Sequence, residues 1–86
     1  MDGSWNPLTN TMRFFVDARL CGITREALEN RGGATEALDR PALHGVFRKY
    51  QEEFERVAAQ KIKAGEFEED GITVLIRNAD LDSRPA

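Results

Sequence analysis

The residues able to carry chemistry are few in this chain of 86 residues. Cys21 and His44 are its single cysteine and single histidine, and together they could form a nucleophile with a general base. A reactive cysteine needs an electropositive setting, and no motif relates the two positions. A lone cysteine in a strand is most simply a small core residue, and a lone histidine beside an apolar stripe a boundary residue. We therefore predict no catalytic residue and no bound cofactor.

A second candidate is the acidic stretch that contains Glu66, Glu68, Glu69 and Asp70. Clustered carboxylates could hold a divalent cation, because hard ions prefer oxygen ligands. The spacing lacks the central glycine and distal glutamate of a calcium-binding loop, and one cysteine with one histidine supplies too few ligands for zinc. The stretch is therefore expected to be a solvated turn without a metal. An enzyme with a carboxylate site at residues 66–70 ranks last among the hypotheses.

Basic side chains could instead contact nucleic acid, and they are densest along one predicted helix: Arg48, Lys49, Arg56, Lys61 and Lys63. The chain has 12 lysines and arginines against 15 aspartates and glutamates, which gives a formal net charge of −3. Proteins that depend on phosphate contacts are normally basic, so the charge disfavours nucleic-acid binding. A nucleic-acid-associated regulator that uses these residues remains the alternative function.

The composition is that of one folded domain over residues 1–86. Hydrophobic residues make up 41% and charged residues 31%, and the length leaves room for a single core. The longest apolar runs, 14–16 and 74–76, are far shorter than the about 20 residues that span a bilayer. No signal peptide is recognisable at the N-terminus, and the single cysteine excludes an internal disulfide. We expect a cytoplasmic protein without membrane contact.

The first half of the chain predicts a β-hairpin. Residues 1–11 contain an Asn-Pro pair and are expected to form an irregular lead-in that packs on the core through Trp5 and Leu8. Residues 12–16 and 20–23 are rich in strand-forming types, and the three residues between them can turn the chain.

Two helices are predicted to follow. Thr24 is a suitable N-cap for a short helix over residues 25–31, which a pair of glycines ends. Residues 32–40 are the least defined, and their centre is either a loop or an extra turn. Asp39 then begins a long amphipathic helix of roughly 36 Å that ends at Gly65. Its apolar residues recur every three or four positions and predict one buried stripe: Leu43, Val46, Phe47, Tyr50, Phe54, Val57, Ala58 and Ile62.

The last predicted strand covers residues 72–76, after a turn in which Phe67 packs on the core. Leu81 is the last apolar contact, and residues 82–86 are expected to fray. The predicted order is β-β-α-α-β. This is an α+β domain in which a small sheet packs against one long amphipathic helix.

Strand residues alternate between two faces, which separates the apolar positions into two sets. One set suits the face under the long helix: Met12, Phe14, Val16, Ile72, Val74 and Ile76. Phe15 and Leu75 lie on the opposite face, with either Leu20 or Cys21. Either the short helix, the N-terminal segment with Trp5, or both cover this far face, or a second chain does. Phe15, Leu75 and Cys21 are therefore the candidate interface residues.

The order of these segments is also familiar. RFFVD at residues 13–17 leads into CGITREAL at 21–28, and AAQKIKAG at 58–65 precedes the closing strand. In this order the chain resembles the short bacterial proteins grouped as domain of unknown function 1488. The resemblance covers about residues 12–81 and implies a small cytoplasmic bacterial α+β domain, with no established catalytic residues to carry over. The leading hypothesis is a non-catalytic module that self-associates as a homodimer or binds a protein partner.

Overall fold

A computed structural model describes residues 3–71 and 73–83 of the chain. It is an α+β domain, as predicted. The elements in chain order are β1 (Ser4–Asn6), β2 (Thr11–Val16), β3 (Arg19–Thr24), α1 (Arg25–Arg31), α2 (Arg40–Lys49), α3 (Gln51–Ala64), β4 (Val74–Ile76) and α4 (Asn78–Ser83).

The four strands form one mixed sheet in the order β1-β2-β3-β4. The first three strands are antiparallel neighbours, and β4 lies parallel to β3 at the edge. The predicted hairpin of β2 and β3 is confirmed. Asp17 and Ala18 form its two-residue turn with φ angles of 51° and 64°, the left-handed geometry that matches the twist of paired strands. The usual glycine is absent from this turn, which made the hairpin hard to recognise.

The N-terminal residues are more regular than predicted. Ser4–Asn6 pairs with β2 as an edge strand, so the prediction of an irregular segment over residues 1–11 is wrong for these positions. Trp5 pairs with Met12 and is half-buried against the core, as expected. Leu8 is 93% exposed and does not pack on the core. A three-residue strand followed by proline leaves almost no periodic signal in the sequence.

The predicted helix ends are confirmed at three places. The Thr24 hydroxyl accepts the Ala27 N–H at 3.1 Å, and the Asp39 carboxylate accepts the Ala42 N–H at 3.0 Å. Gly65 ends α3 in the left-handed region, with φ 73°. Residues between α1 and α2 form a loop, and Leu38 within it packs against the core.

The single long helix is wrong, because the chain breaks at Tyr50 into α2 and α3. Tyr50 has φ −113° and ψ 18°, outside the helical region. A straight helix of roughly 36 Å would exceed the longest dimension of the molecule, which is 33 Å. The break keeps both halves of the apolar stripe over the sheet, and the Phe47 and Phe54 rings lie 5.9 Å apart across it.

The C-terminal part also differs from the prediction. The strand is confirmed over Val74–Ile76, whereas Ile72 lies outside the described residues. Asn78–Ser83 forms α4, so the chain is helical where a loop and a frayed tail were expected; residues 84–86 lie outside the described part. Leu81 of α4 packs against the core as predicted.

The core lies between the sheet and one layer of helices. Six strand residues point into it and are at most 3% exposed: Met12, Phe14, Cys21, Ile23, Val74 and Ile76. They pack in one cluster with buried residues of the first three helices: Ala27, Leu28, Leu43, Phe47, Phe54, Val57 and Ala58. Among the described residues, no helix has the length and apolarity needed to cross a bilayer.

Candidate protein interaction surface

The strand register assigns the remaining strand residues to the face opposite the core. Arg13 pairs with Gly22, Gly22 pairs with Leu75, and Phe15 pairs with Leu20. Residues paired across neighbouring strands point to the same side of a sheet. We call this side the open face, and its strand residues are Ser4, Asn6, Thr11, Arg13, Phe15, Leu20, Gly22, Thr24 and Leu75.

The open face carries an apolar group of three side chains. Phe15 is 59% exposed, and Leu20 and Leu75 are half-buried. Arg13 is the only charged residue at the described strand positions of this face. A sheet face that is turned to water normally carries polar and charged residues. The centre of a protein interface is instead depleted of charged residues.

The two elements proposed as an internal cover leave Phe15 of this face exposed, although Asn6 and Thr9 of the N-terminal segment line part of the face. The short helix α1 packs into the core through Ala27 and Leu28, on the other side of the sheet. Trp5 pairs with Met12 and lies on that same side. Of the two candidate covers from the sequence, neither therefore reaches Phe15.

Cys21 does not lie with the other two candidate interface residues. It pairs with Phe14 and Val74 on the core side and is fully buried. Burial raises the pKa of its thiol above the ordinary value of 9.0, because the thiolate is poorly solvated there. The sequence left open whether Leu20 or Cys21 lies on the far face. The structure shows that Leu20 does, together with Phe15 and Leu75.

A groove of about 280 Å³ runs across the open face. Gly22 forms its floor, and its walls include Thr11, Leu20, Thr73 and Leu75. A methyl group placed on Gly22 would lie in ordinary van der Waals contact, 3.5 Å from Leu75 Cδ1 and 3.6 Å from Thr11 Cβ, so the missing side chain leaves space in the groove. Sequence reasoning missed Gly22, although a glycine inside a strand pattern does signal space for a close approach.

The groove has charged groups on its two sides. Arg13 stands on the β2 side and makes no ion pair or side-chain hydrogen bond within the described part of the chain. Glu68 stands on the β4 side, where its carboxylate accepts hydrogen bonds from Arg77 at 2.8 and 3.2 Å. That carboxylate raises the pKa of Arg77 and keeps about a third of its own surface exposed.

The other chemistry-bearing residues do not converge. His44 is half-buried on α2, and among the described residues no hydrogen bond joins it to Cys21. Glu68 is paired with Arg77, and the Asp70 carboxylate accepts the Thr73 N–H at 2.8 Å. Over residues 3–71 and 73–83 no group of three or more potential metal ligands occurs.

The basic residues that were predicted to lie along the long helix do not share one surface. Arg48, Lys49 and Arg56 line one open depression of about 450 Å³ beside Tyr50, together with two glutamates. Lys61 is instead buried, and its ammonium donates to the Asp80 carboxylate at 2.8 Å and to the Leu75 carbonyl at 2.7 Å. Lys61 therefore cannot contact a phosphate, which corrects the sequence-based set.

The family described as "Protein of unknown function (DUF1488)" matches residues 4–75, so the chain belongs to it and the resemblance is confirmed. No curated protein and no solved structure matches the chain. The function must therefore be argued from the molecule's own surfaces.

Proposed function

We propose that this protein is a non-catalytic interaction module that binds a protein through the open face of its sheet. The observation that carries the proposal is the pairing of an exposed apolar group with an almost uncharged sheet face. Phe15, Leu20 and Leu75 form that group, and Arg13 is the one charged residue among the described strand positions of the face. Aromatic residues and arginine are the types enriched at protein interfaces.

The proposal is tested in cells with a photoreactive amino acid at position 15. Phe15 is on the open face, and the matched control position is Ala59, exposed on α3 in the helix layer. We expect irradiation to attach a protein at position 15 and none above background at position 59. A second substitution, Leu75→Lys, should remove the adduct, because it places a charge within the same apolar group.

Equal labelling at positions 15 and 59, or no adduct at position 15, would overturn the proposal. Circular dichroism of each variant must first show the native helical signal. Leu75 is half-buried, so a variant that loses that signal is replaced by Thr73→Lys on the same groove wall.

A second candidate function is nucleic-acid association through the depression beside Tyr50. It is favoured by the convergence of Arg48, Lys49 and Arg56 on one depression. Glu52 and Glu53 line the same depression, and Arg31 is paired with Glu53 at 2.7 Å, so the local charge is partly balanced. A gel shift that weakens steeply with salt and is lost in Arg48→Glu would support this candidate over the first.

A further inference from the structure

We infer that the partner on the open face is a second copy of this chain, packed face to face about a two-fold axis that runs along β3. This inference rests on the proposed function and names the occupant of the same surface. A symmetric dimer requires a surface that carries its own complement: if residue i of one copy contacts residue j of the other, residue j also contacts residue i. The open face has such a surface, in shape and in charge.

The position of β3 determines which strands meet. β2 and β4 are its two neighbours in the sheet, so a two-fold rotation about β3 places β2 of one copy over β4 of the other. Residues of β3 itself, such as Leu20, then lie near the axis and face their own copies. The two sheets stack at about 10 Å, the usual distance between packed sheets.

This arrangement places the projecting Phe15 side chain of one copy over the groove of the other copy. Phe15 is the most exposed apolar side chain of the described strands, and it stands on β2. The groove extends from Gly22 towards Thr73 and Leu75 on the β4 side and towards Thr11 and Asn6 on the β2 side. Exchange of β2 and β4 therefore places each Phe15 over the β4 side of the other copy's groove. A volume of about 280 Å³ suits a buried side chain rather than a separate large ligand.

The same rotation brings opposite charges together. Arg13 stands on β2, two positions before Phe15, and is exposed and unpaired within residues 3–71 and 73–83. Glu68 lies beside β4, with its backbone N–H bonded to the Thr73 carbonyl at 2.8 Å. Each Arg13 thus faces the side of the other copy that carries Glu68. Complementary charges at an interface rim fix its orientation.

The size of the face indicates how tightly the copies bind. Four strands about 4.8 Å apart form a face roughly 20 Å wide. β2 and β3 have six residues each, which makes the face roughly 20 Å long. The contact is therefore roughly 400 Å² on each copy, in the size range of weak and transient interfaces. We expect dissociation constants in the micromolar range, with monomer and dimer both observable.

Sedimentation velocity across the micromolar range tests the association. Wild type should shift from monomer to dimer with concentration, and Leu75→Lys and Phe15→Glu should remain monomeric. Arg13→Glu should weaken the dimer about tenfold through lost charge complementarity. Arg48→Glu, which changes the net charge equally on the helix side, should leave association unchanged. If wild type is monomeric throughout, or if both Leu75→Lys and Phe15→Glu still dimerise, the inference is overturned.

Thiol cross-linking tests the axis. A short bis-maleimide that spans about 10 Å should join Leu20→Cys to its own copy, because both lie at the axis. Ser4→Cys on β1 is the control, since two strand spacings separate it from the axis and its copies lie about 19 Å apart. Native Cys21 is buried and gives no background. A dimer in which Ser4→Cys is joined and Leu20→Cys is not overturns this axis.

The two proposals can fail separately. A monomeric protein whose position 15 is photo-linked only to other proteins would overturn the second-copy inference and leave the interaction function standing. A chain with no adduct at position 15 would overturn the interaction function itself.

Discussion

The two faces of the sheet are built from the same strands and differ in almost every physical respect. On the core face, strand residues such as Phe14 and Ile23 are at most 3% exposed and packed under helices. On the open face, Phe15 is 59% exposed although it directly follows Phe14 in the chain. The comparison teaches that hydrophobicity alone does not locate a core. The apolar residues of the core face hold the fold together, whereas those of the open face are available to a partner.

The sharpest test of this comparison truncates the two adjacent phenylalanines. Phe14→Ala should lower the free energy of unfolding by about 3–5 kcal/mol, because it empties a fully packed site. Phe15→Ala should change that free energy by about 0.5 kcal/mol or less in the monomer, as for other exposed positions. Urea denaturation at low protein concentration measures both values.

Equal losses for the two variants would contradict the comparison and place a cover over Phe15. If Phe15→Ala lowers the free energy of unfolding only at high protein concentration, the difference between the two faces becomes sharper. Such a loss is the dimer contribution to stability.

The second test uses one glycine on each face. A methyl group on Gly3 would lie 2.9 Å from Met12 Cγ and 3.0 Å from Phe47 Cε2, so Gly3→Ala should cost about 1–3 kcal/mol through overpacking. Gly22→Ala meets neighbours only at 3.5 Å or more and should stabilise the strand by about 0.5 kcal/mol. Melting curves of the two variants show whether each substitution raises or lowers stability. A large loss of stability for Gly22→Ala would show that the groove is already filled.

Much of the fold could be predicted because its signals are local. The caps at Thr24 and Asp39 and the stop at Gly65 depend on residue types within one turn, and all three are confirmed. The break at Tyr50 could not be predicted, since the apolar spacing continues through it without interruption. The break lets residues of both helices pack into one core cluster, which is a property of the folded molecule. Arg31 lies 4.2 Å over the Tyr50 ring at the break, a contact between residues distant in sequence.

The helix α4 was missed for a related reason. Residues 78–83 have no apolar periodicity, and one carboxylate together with the packing of Leu81 fixes the segment. Asp80 accepts hydrogen bonds from buried Lys61 and from the Arg77 N–H. Lysine and aspartate are usually exposed, so sequence reasoning assigned Lys61 to the surface.

The candidate surface was predicted only in part. Alternation along the strands placed Phe15 and Leu75 on one side, and the register confirms that placement. The choice between Leu20 and Cys21 needed the register itself, because the turn between β2 and β3 could hold two or three residues. The groove at Gly22 depends on which residues stand across three strands, which no single segment encodes.

The two faces can also be compared without a change in stability, by the reactivity of thiols at the adjacent positions Leu20 and Cys21. Native Cys21 should react with iodoacetamide more than about a hundredfold more slowly than an engineered Leu20→Cys thiol. Cys21 must be exposed by opening of the core, which requires a large part of an unfolding free energy of about 5 kcal/mol or more. Comparable labelling of both thiols in the native protein, with Cys21 followed by mass spectrometry, would contradict the assignment of the two faces.

The pH dependence of stability adds a second measurement at the same position. Burial raises the pKa of the Cys21 thiol in the folded protein above its ordinary value of 9.0, so the unfolded chain ionises first as pH increases. The stabilising contribution of the neutral thiol is fully present below pH 9 and is lost as pH rises through the folded pKa. Wild type should therefore lose stability more steeply than Cys21→Ala, which has no thiol to ionise, as pH rises above about 9. Parallel curves for the two proteins over this range would mean that the thiol reaches water, and the assignment of Cys21 to the core face would then be wrong.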